Sequence, residues 1–385
     1  MIWFFAKGLV RDPSRSLFPI LVVSVGTMLT VLLQTWLSGV LGDVVRSNAN
    51  FSTGHVKIMS RAYAENQSQV PNDLALLDVK KWDDLLVRRY PDFLWVHRIR
   101  FGGLLDIPDA ARETRAQGPV VGMAIDLTSP GASEIERMGI RRALVRGSIP
   151  RRPGEALISE GFSKKLELDP GDTATLITST VHGSMSLENF TISGTVHFGV
   201  APMDRGAIII DLADGRRMLD MSDASGEILG YDKTGEYQDE YAVNLSREFN
   251  REYSDETDEF SPVMFPLRQQ NDLGEYLDLA QHVTSLICGI FVMSMSIVLW
   301  SVGLVGGIRR YGEVGLRIAL GEEKGRVYRS MLIESALIGL VGSVIGTGLG
   351  LLAAWYLQVH GIDLSWMLQK SSMMMSSVYR AKITW

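Results

Sequence analysis

The chain has 385 residues, a formal net charge of −6 and 46% hydrophobic residues. The negative charge argues against a nucleic acid as partner, because nucleic-acid-binding surfaces concentrate basic residues. The single cysteine, Cys288, excludes a disulfide within the chain, so a domain outside the membrane must be held together by its core alone.

The amino-terminal segment, residues 1–16, combines Trp3, Phe4 and Phe5 with basic residues. This pattern favours an amphipathic helix in the headgroup region of a membrane, with an ordinary cytoplasmic start as the alternative. Residues 17–41 then carry no charged side chain. At about 1.5 Å of rise per residue they exceed a hydrocarbon core of about 30 Å, which predicts a first transmembrane helix. The run is too long for a cleaved signal peptide.

Residues 42–282 are long enough for a large extracytoplasmic domain, with room for two lobes. Short β-branched runs bounded by Gly, Pro or Asp predict strands near His55, Val121, Thr175, Ile192 and Ile209. Helical periodicity lies between these runs and predicts helices within residues 75–90, 159–166 and 213–221. The mixed order predicts an α+β domain, and thus an α-helical membrane protein with a large extracytoplasmic α+β domain.

Acidic residues concentrate late in this region, at residues 236–241 and 251–260. Such runs are usually solvated loops, so we predict loops, with a metal site as the alternative. The six histidines lack metal-ligand spacing of the H-E-x-x-H kind, and no G-x-x-x-x-G-K-[ST] phosphate-binding loop occurs. We therefore expect no catalytic residue, no metal and no cofactor in this chain. A membrane-bound enzyme would need a nucleophile or a metal cluster that the sequence does not offer.

Two further uncharged runs follow. Residues 283–308 predict a second transmembrane helix and residues 331–357 a third, which is interrupted by Glu334 near its start. That carboxylate is expected to anchor the helix at the membrane boundary. Residues 309–330 lie between the two runs and are rich in Lys and Arg. Because basic loops stay in the cytoplasm, this loop and the amino terminus are predicted inside, and residues 42–282 outside.

Glycines recur in the third predicted span. Gly342, Gly346 and Gly350 are spaced by four residues and so share one helix face, where small side chains allow two helices to approach closely. We predict that this face packs on another helix, and that Gly339 and Gly348 extend it. The alternative is the general abundance of glycine in membrane helices.

Residues 313–321, EVGLRIALG, resemble the coupling helix of the MacB, LolC, LolE and FtsX group of ABC-transporter permeases, whose pattern is E-I-G-x-R-x-A-x-G. The similarity continues through residues 332–335 and the glycine-rich span. Residues 155–177, 190–199 and 204–212 resemble a lobe of the family's outer domain. The order of one span, a large outer domain and further spans is also that of the family.

The resemblance implies a permease subunit, not an enzyme, in the bacterial inner membrane. Its partners would be a cytoplasmic ABC ATPase dimer, which binds ATP and Mg itself, a second permease copy or paralogue, and membrane lipids. The residues implied in coupling to the ATPase are Glu313, Val314, Gly315, Leu316, Arg317, Ala319, Leu320 and Gly321. Glu313 and Arg317 stand one helical turn apart, and Gly321 permits a sharp helix end. A basic loop that serves only topology is the alternative.

Within this family, the absence of a fused ATPase and the segment at residues 54–58 favour the LolC/LolE branch. That branch implies extraction of lipoproteins or similar amphiphiles from the outer leaflet. The coupling segment is nearer to MacB, which implies efflux of drugs or peptides. An FtsX-like scaffold that controls a cell-wall hydrolase is a further alternative.

The family has a fourth span, whereas residues 358–385 are polar and rich in Met. We predict that this segment is extracytoplasmic, so that a tag after Trp385 is reachable from outside, unless the native gene continues into another apolar stretch. Met373, Met374 and Met375 are interpreted as part of a flexible loop that touches bilayer or substrate, with Cu(I) binding as the alternative.

Overall fold

The computed structural model describes residues 13–109, 113–198, 201–309, 311–363, 378–379 and 381, and the chain divides into two compact units. One unit, Val44–Gly274 among the described residues, is called the α+β domain, and the other is called the helical unit. Most of the predicted interfacial segment and the three consecutive methionines lie outside the described residues.

The first apolar segment forms helix α1, Pro13–Asn48, which extends beyond both ends of the uncharged run. A π-helical turn, Ala49–Thr53, follows it directly. Gly54 ends this turn with φ of +61°, a conformation that side chains other than glycine rarely adopt, and its N–H donates to Ala49 O. This turn is called the connection, because it joins α1 to the first strand.

The α+β domain contains twelve described strands, ten of which belong to one sheet. The strands are β1 Val56–Ser60, β2 Leu76–Leu77, β3 Phe93–Pro108, β4 Thr114–Ile125, β5 Leu144–Gly147, β6 Glu155–Ser159, β7 Thr173–Ser179, β8 Met185–Val196, β9 Ala207–Asp211, β10 Ala224–Ser225, β11 Glu227–Asp232 and β12 Pro262–Pro266. The helices are α2 Arg61–Glu65, α3 Val79–Arg89, α4 Ser133–Arg137, α5 Ile140–Ala143, α6 Glu160–Leu166, α7 Ala201–Asp204, α8 Leu212–Met218 and α9 Asp239–Tyr253.

Strand β3 belongs to both halves of the sheet. Its first half pairs with β11, and β1 and β12 follow on that side. Its second half pairs with β7 on one side, while β4 lies on the other. From there β4, β9, β6, β8 and β7 pair in turn, which closes the path back to β3. The domain therefore has an open lobe and a closed barrel lobe that share β3, and this agrees with the predicted fold class.

Alternating apolar residues build the core of the barrel lobe. Ile99, Phe101 and Leu105 of β3 are buried together with Leu176 of β7 and Ile208 of β9. The open lobe has its own core between the sheet and helices α3 and α9, formed by Val56, Ile58, Leu86, Ile228, Phe249 and Met264. Since the predicted strands and helices contribute to these cores, burial explains why those segments fold as they do.

The prediction for the acidic runs was partly wrong. Helix α9, Asp239–Tyr253, takes up the end of the first run and the start of the second. Apolar residues at helical spacing lie among the acidic ones and were overlooked. Ala242, Leu245 and Phe249 form a buried stripe along this helix. Packing of that stripe on the open lobe therefore decides the local structure.

The helical unit continues with α10 Leu273–Arg309, α11 Tyr311–Ala319 and α12 Lys324–His360. Among the described residues, three helices are long and apolar enough to cross a membrane, and they include most of α1, α10 and α12. Beyond α12, strand β13 Ile362–Asp363 pairs with β14 Val378–Tyr379. The predicted loop at residues 309–330 thus contains α11, a turn and the beginning of α12.

Helix α1 contacts both of the other long helices. Ser24 Oγ donates to Gly342 O of α12 at 3.1 Å, and the contacts advance in the same direction along both helices, so α1 and α12 run parallel. Cys288 of α10 lies 3.1 Å from Gln34, whereas Met295 lies against Gly26, so α10 runs antiparallel to α1. The starts of α1 and α12 therefore lie at the same end of the helical unit.

Candidate functional site

Helix α11 presents apolar side chains to its surroundings at the turn between two long helices. Leu316 is 63% exposed and Leu320 is 80% exposed, and the two stand one helical turn apart. Ile318 is also exposed, and Arg317 lies between the leucines in sequence. Neighbouring exposed apolar residues with a polar rim are typical of a surface that a protein partner or a membrane covers. We call Leu316, Arg317 and Leu320 the α11 surface.

The end of α11 is fixed by backbone geometry. Gly321 has φ of +90°, its N–H donates to Ile318 O at 3.0 Å, and the N–H of Glu322 donates to Arg317 O at 3.1 Å. This pair of bonds is a Schellman motif, which satisfies helix carbonyls that would otherwise lack a partner. The chain then enters α12 within three residues, with Val327 buried. The α11 surface is thus tied closely to α12.

The remaining predicted coupling residues lie on the same segment. Val314 is half-buried, whereas Gly315 and Ala319 are exposed. The side chain of Glu313 lies outside the described residues, so its predicted pairing with Arg317 stays a prediction. Glu334 is half-buried in the third turn of α12 and has a polar partner.

The structure places the three spaced glycines of α12 against α1. A Cβ on Gly342 would lie 2.7 Å from Val23 Cβ, one on Gly346 would lie 2.8 Å from Thr27 Cβ, and one on Gly350 would lie 2.9 Å from Val31 Cβ. These distances are shorter than van der Waals contact, so only glycine allows the two helices to approach this closely. We call these three residues the glycine face.

Two glycines that were predicted to extend this face do not belong to it. A Cβ on Gly348 or on Gly339 would meet nothing within 4 Å. Gly348 lies two residues from both Gly346 and Gly350, which places it on the opposite side of the helix. Ala354 continues the four-residue spacing instead and is fully buried. For Gly348 the prediction failed because it ignored the angle around the helix axis, whereas Gly339, seven residues before Gly346, has the angle of the glycine face but makes no such contact.

The α+β domain has a charged face that was not predicted from the sequence. Five polar side chains from three strands point to the same side of the open lobe. Their alternate spacing along each strand and the pairing between strands both place them on that side. They are Lys57 of β1, Arg98 and Arg100 of β3, and Glu227 and Tyr231 of β11. Arg98, Lys57 and Glu227 are fully buried. These five residues are called the polar face, and the connection packs on it.

Arg98 binds the backbone of the connection. Its guanidinium donates to Asn50 O at 2.6 Å and to Phe51 O at 2.9 Å, while its Nε donates to Glu134 Oε2 at 2.7 Å. Tyr231 accepts a bond from Arg98 and donates to Ala49 O at 2.9 Å. The carbonyls at the end of a helix carry partial negative charge, so a cation is well placed there.

Lys57 and Glu227 form a buried ion pair beside Arg98, with Nζ and Oε1 3.2 Å apart. Burial lowers the pKa of Lys57 to about 8, although Glu227 opposes this effect. Burial would raise the pKa of Glu227, but Arg100 and Lys57 hold it below its ordinary value. Both groups are therefore charged at neutral pH, and each depends on the other for compensation.

One sequence pattern points to this face. Lys57, Arg98, Arg100 and Glu227 each stand beside β-branched or aromatic residues at strand spacing. Such charges are ordinarily assigned to the solvated side of a sheet. The sequence does not reveal that both sides are covered here, because the covering segment, the connection, comes from the end of α1. Among the described residues, no group of three or more His, Cys, Asp or Glu side chains is arranged to hold a metal ion.

Residues 285–382 match the family model described as FtsX-like permease C-terminal. The lipoprotein-releasing system transmembrane protein LolC of Xylella fastidiosa (strain Temecula1) is 22% identical over 217 residues, which cover 54% of this chain and 50% of LolC. The chain therefore spans about half the length of the LolC proteins that it matches.

Two MacB proteins are also similar to parts of the chain. The macrolide export ATP-binding/permease protein MacB of Escherichia coli (strain K12) is 34% identical over 84 residues, or 22% of this chain and 12% of MacB. The crystal structure of the periplasmic region of MacB from Actinobacillus actinomycetemcomitans aligns with 58% of this chain and 94% of that chain, at a TM-score of 0.39 and 9% identity. The matched family model and the similarity to LolC and MacB support the assignment of this chain to the MacB/LolC/FtsX-like family of ABC-transporter permeases.

Proposed function

We propose that this chain is the permease subunit of a mechanotransmission ABC transporter, in which a separate cytoplasmic ATPase dimer binds the α11 surface. The observation that carries the proposal is a pair of exposed leucines, Leu316 and Leu320, on a helix held between two membrane-length helices. The segment that contains α11 is too short to fold alone. It offers a partner protein two apolar contact residues beside a charged one.

The packing of the helical unit provides a path for movement. When the ATPase dimer closes, α11 moves, and its Schellman end at Gly321 passes the displacement to α12. The glycine face then carries it to α1, which leads into the connection and β1. Close packing favours joint displacement of two helices over sliding, because interlocked surfaces do not deform continuously. ATP and Mg are bound by the ATPase, not by this permease.

The proposed location is the bacterial inner membrane, with the α11 surface in the cytoplasm and the α+β domain in the periplasm. The basic residues around α11 support this orientation. The parallel course of α1 and α12 is consistent with this orientation, since it places the starts of both helices on one side of the membrane. The exposed apolar residues of α10 would face lipid and a second permease, which is either a copy of this chain or a paralogue.

The proposed substrate is a lipoprotein or a similar amphiphile, which is extracted from the outer leaflet. The chain is similar over 54% of its length to LolC, a relative that is named for lipoprotein release, and this similarity supports the substrate class. The higher identity to MacB over 84 residues favours a second candidate, export of drugs or peptides.

We expect Leu316→Asp and Leu320→Asp to abolish copurification of the ATPase with the tagged permease. Each places a charge in the centre of the proposed apolar contact, where it would be desolvated without a partner. The ATPase bound per permease is measured after purification in mild detergent. Leu187→Asp is the matched control, because Leu187 of β8 is 58% exposed and lies in the other unit. Normal ATPase recovery with both α11 variants would contradict the proposal.

The side of the membrane on which the α11 surface lies is tested in spheroplasts. A Lys324→Cys variant in a Cys288→Ser background should react with a membrane-impermeant maleimide only after the spheroplasts are permeabilised, since Lys324 is exposed at the start of α12 and lies outside the α11 surface. A Glu256→Cys variant in the same background should react in intact spheroplasts, since Glu256 is exposed in the α+β domain. The opposite pattern would show that the proposed orientation is inverted.

Substrate class is tested by ATP hydrolysis in proteoliposomes that contain the permease and its copurified ATPase. We expect a triacylated lipoprotein to stimulate hydrolysis several-fold, whereas the same protein without acyl chains should not. Stimulation by a macrolide, with no effect of the lipoprotein, would favour the export function instead.

A further inference from the structure

The polar face is unusual because it places charged side chains on a buried side of the sheet. Three of its charged residues, Lys57, Arg98 and Glu227, are fully buried, and burying charges costs more than burying well-packed apolar side chains of similar volume. Stability alone therefore does not account for this choice of residues. Charged and hydroxyl side chains can form directional hydrogen bonds to backbone carbonyls, and apolar side chains cannot.

The bonds of the polar face are directed at one short segment. Arg98 and Tyr231 together bind the carbonyls of Ala49, Asn50 and Phe51, which are three of the five residues of the connection. Arg100 adds a bond of 3.2 Å to Ser52 Oγ. Arg98 is itself held by Glu134 of α4, so its guanidinium has little freedom to follow the connection away from β3.

The chain leaves the α+β domain at the same place where it enters. Gln270, which is buried just before α10, donates to Thr53 O at 3.3 Å and to Phe265 O of β12 at 3.1 Å. Asn271 lies 3.4 Å from Ser52 Oγ. The residues that lead out of α1 and those that lead into α10 are thus bound to each other and to the open lobe.

We propose that Arg98 is a positioning residue that fastens the connection to the central strand β3, so that a displacement of α1 moves the whole sheet instead of stretching the chain at Ala49–Thr53. A π-helical turn is a weak element on its own, and without an anchor it would absorb movement by changing its backbone angles. Because β3 belongs to both lobes, a force on Arg98 reaches both of them. The inference rests on the proposed transport function.

The test uses Arg98→Lys, which keeps the charge beside Glu134 but loses the fork that binds two carbonyls. In the purified full-length chain, we expect the amides of residues 49–54 to exchange hydrogen about tenfold faster or more, since charge-assisted bonds are lost there. In the complex with its ATPase, we expect ATP hydrolysis to persist while lipoprotein release per ATP falls at least several-fold. A merely structural residue would lower the yield of folded complex but not this ratio.

Arg146→Lys is the matched control. Arg146 of β5 also binds several side chains, namely Glu160, Ser163 and Asp169, but it lies in the barrel lobe away from the connection. This variant should change neither exchange at residues 49–54 nor release per ATP. Insertion of two glycines between Asn48 and Ala49 leaves Arg98 intact and slackens the chain between α1 and the carbonyls that Arg98 binds, so it should reproduce the loss of release.

Two results would overturn the inference: unchanged exchange at residues 49–54 in Arg98→Lys, or faster exchange with normal release per ATP. If Arg98→Lys does not fold, Tyr231→Phe serves in its place, because it removes the bond to Ala49 O and keeps the ring. If wild-type protein shows no ATP-driven release of the lipoprotein, the proposed function fails, whereas the exchange measurement still decides whether Arg98 holds the connection.

Discussion

Replacing Gly346 by leucine is expected to separate α12 from α1 and to destabilise the helical unit. Any Cβ at this position would overlap the carbonyl oxygen of Ser24 and lie 2.8 Å from Thr27 Cβ. A backbone oxygen cannot rotate away as a side chain can, so the helices must move apart. We expect a loss of about 1–3 kcal/mol or more from overpacking, measured as the unfolding midpoint of the purified chain in SDS.

Gly348→Leu is the matched control for this substitution. It adds the same side chain to the same helix, but a Cβ there meets nothing within 4 Å. The unfolding midpoint of this variant should stay near that of the wild type. An equal loss in both variants would mean that leucine disturbs α12 for another reason, and no loss with Gly346→Leu would mean that the glycine face does not contact α1 in the folded protein.

The two parts of this contact differ in how far the sequence predicts them. The spacing of Gly342, Gly346 and Gly350 indicates a packing face, because four-residue spacing keeps side chains on one side of a helix. The partner is not encoded in that pattern. Ser24 and Thr27 of α1 are small residues in an apolar run, but many membrane helices offer such residues. Only the fold brings these positions together.

Strand β3 shows where sequence patterns fail in the α+β domain. Its segment, Phe93–Pro108, contains Arg98 and Arg100, and also two adjacent glycines. Both features weaken the prediction of a strand, since charges are expected on a solvated side and glycine disfavours strands. In the structure β3 pairs with β11, β4 and β7, and the arginines bind a segment that is distant in sequence. Tertiary contacts therefore decide the local structure.

The end of helix α11, in contrast, can be predicted from the sequence. Gly321 was expected to permit a sharp helix end, and the structure has a left-handed residue with two capping bonds there. Local chemistry is sufficient for this prediction, because only glycine adopts that conformation without strain. The exposure of Leu316 and Leu320 required the structure, since apolar residues in a short connecting helix are equally compatible with burial.

Breaking the buried ion pair of the polar face is expected to destabilise the α+β domain strongly. Glu227→Gln leaves Lys57 fully buried without a compensating charge, which typically costs about 3 kcal/mol or more. Denaturant unfolding of the purified full-length chain, followed by hydrogen exchange in β1 and β11, measures this loss. Glu136→Gln is the matched control, because it breaks the Arg141–Glu136 pair at 2.8 Å, whose side chains are 67% and 69% exposed. That pair should be worth about 1 kcal/mol or less.

The penalty for Glu227→Gln should also depend on pH. Lys57 ordinarily titrates at 10.5 but has a pKa of about 8 in the folded wild type, and loss of the Glu227 charge lowers it further. Near neutral pH, Lys57 of the folded variant binds fewer protons than Lys57 of the unfolded chain, so the free energy of unfolding of the variant rises with pH. In the wild type Lys57 is still protonated in both states at this pH, so its free energy of unfolding changes little. The difference between the two proteins should therefore narrow from about pH 7 to about pH 9 as Lys57 becomes neutral in both. A difference that stays constant or widens over this range would show that the ion pair with Lys57 is not what Glu227 contributes.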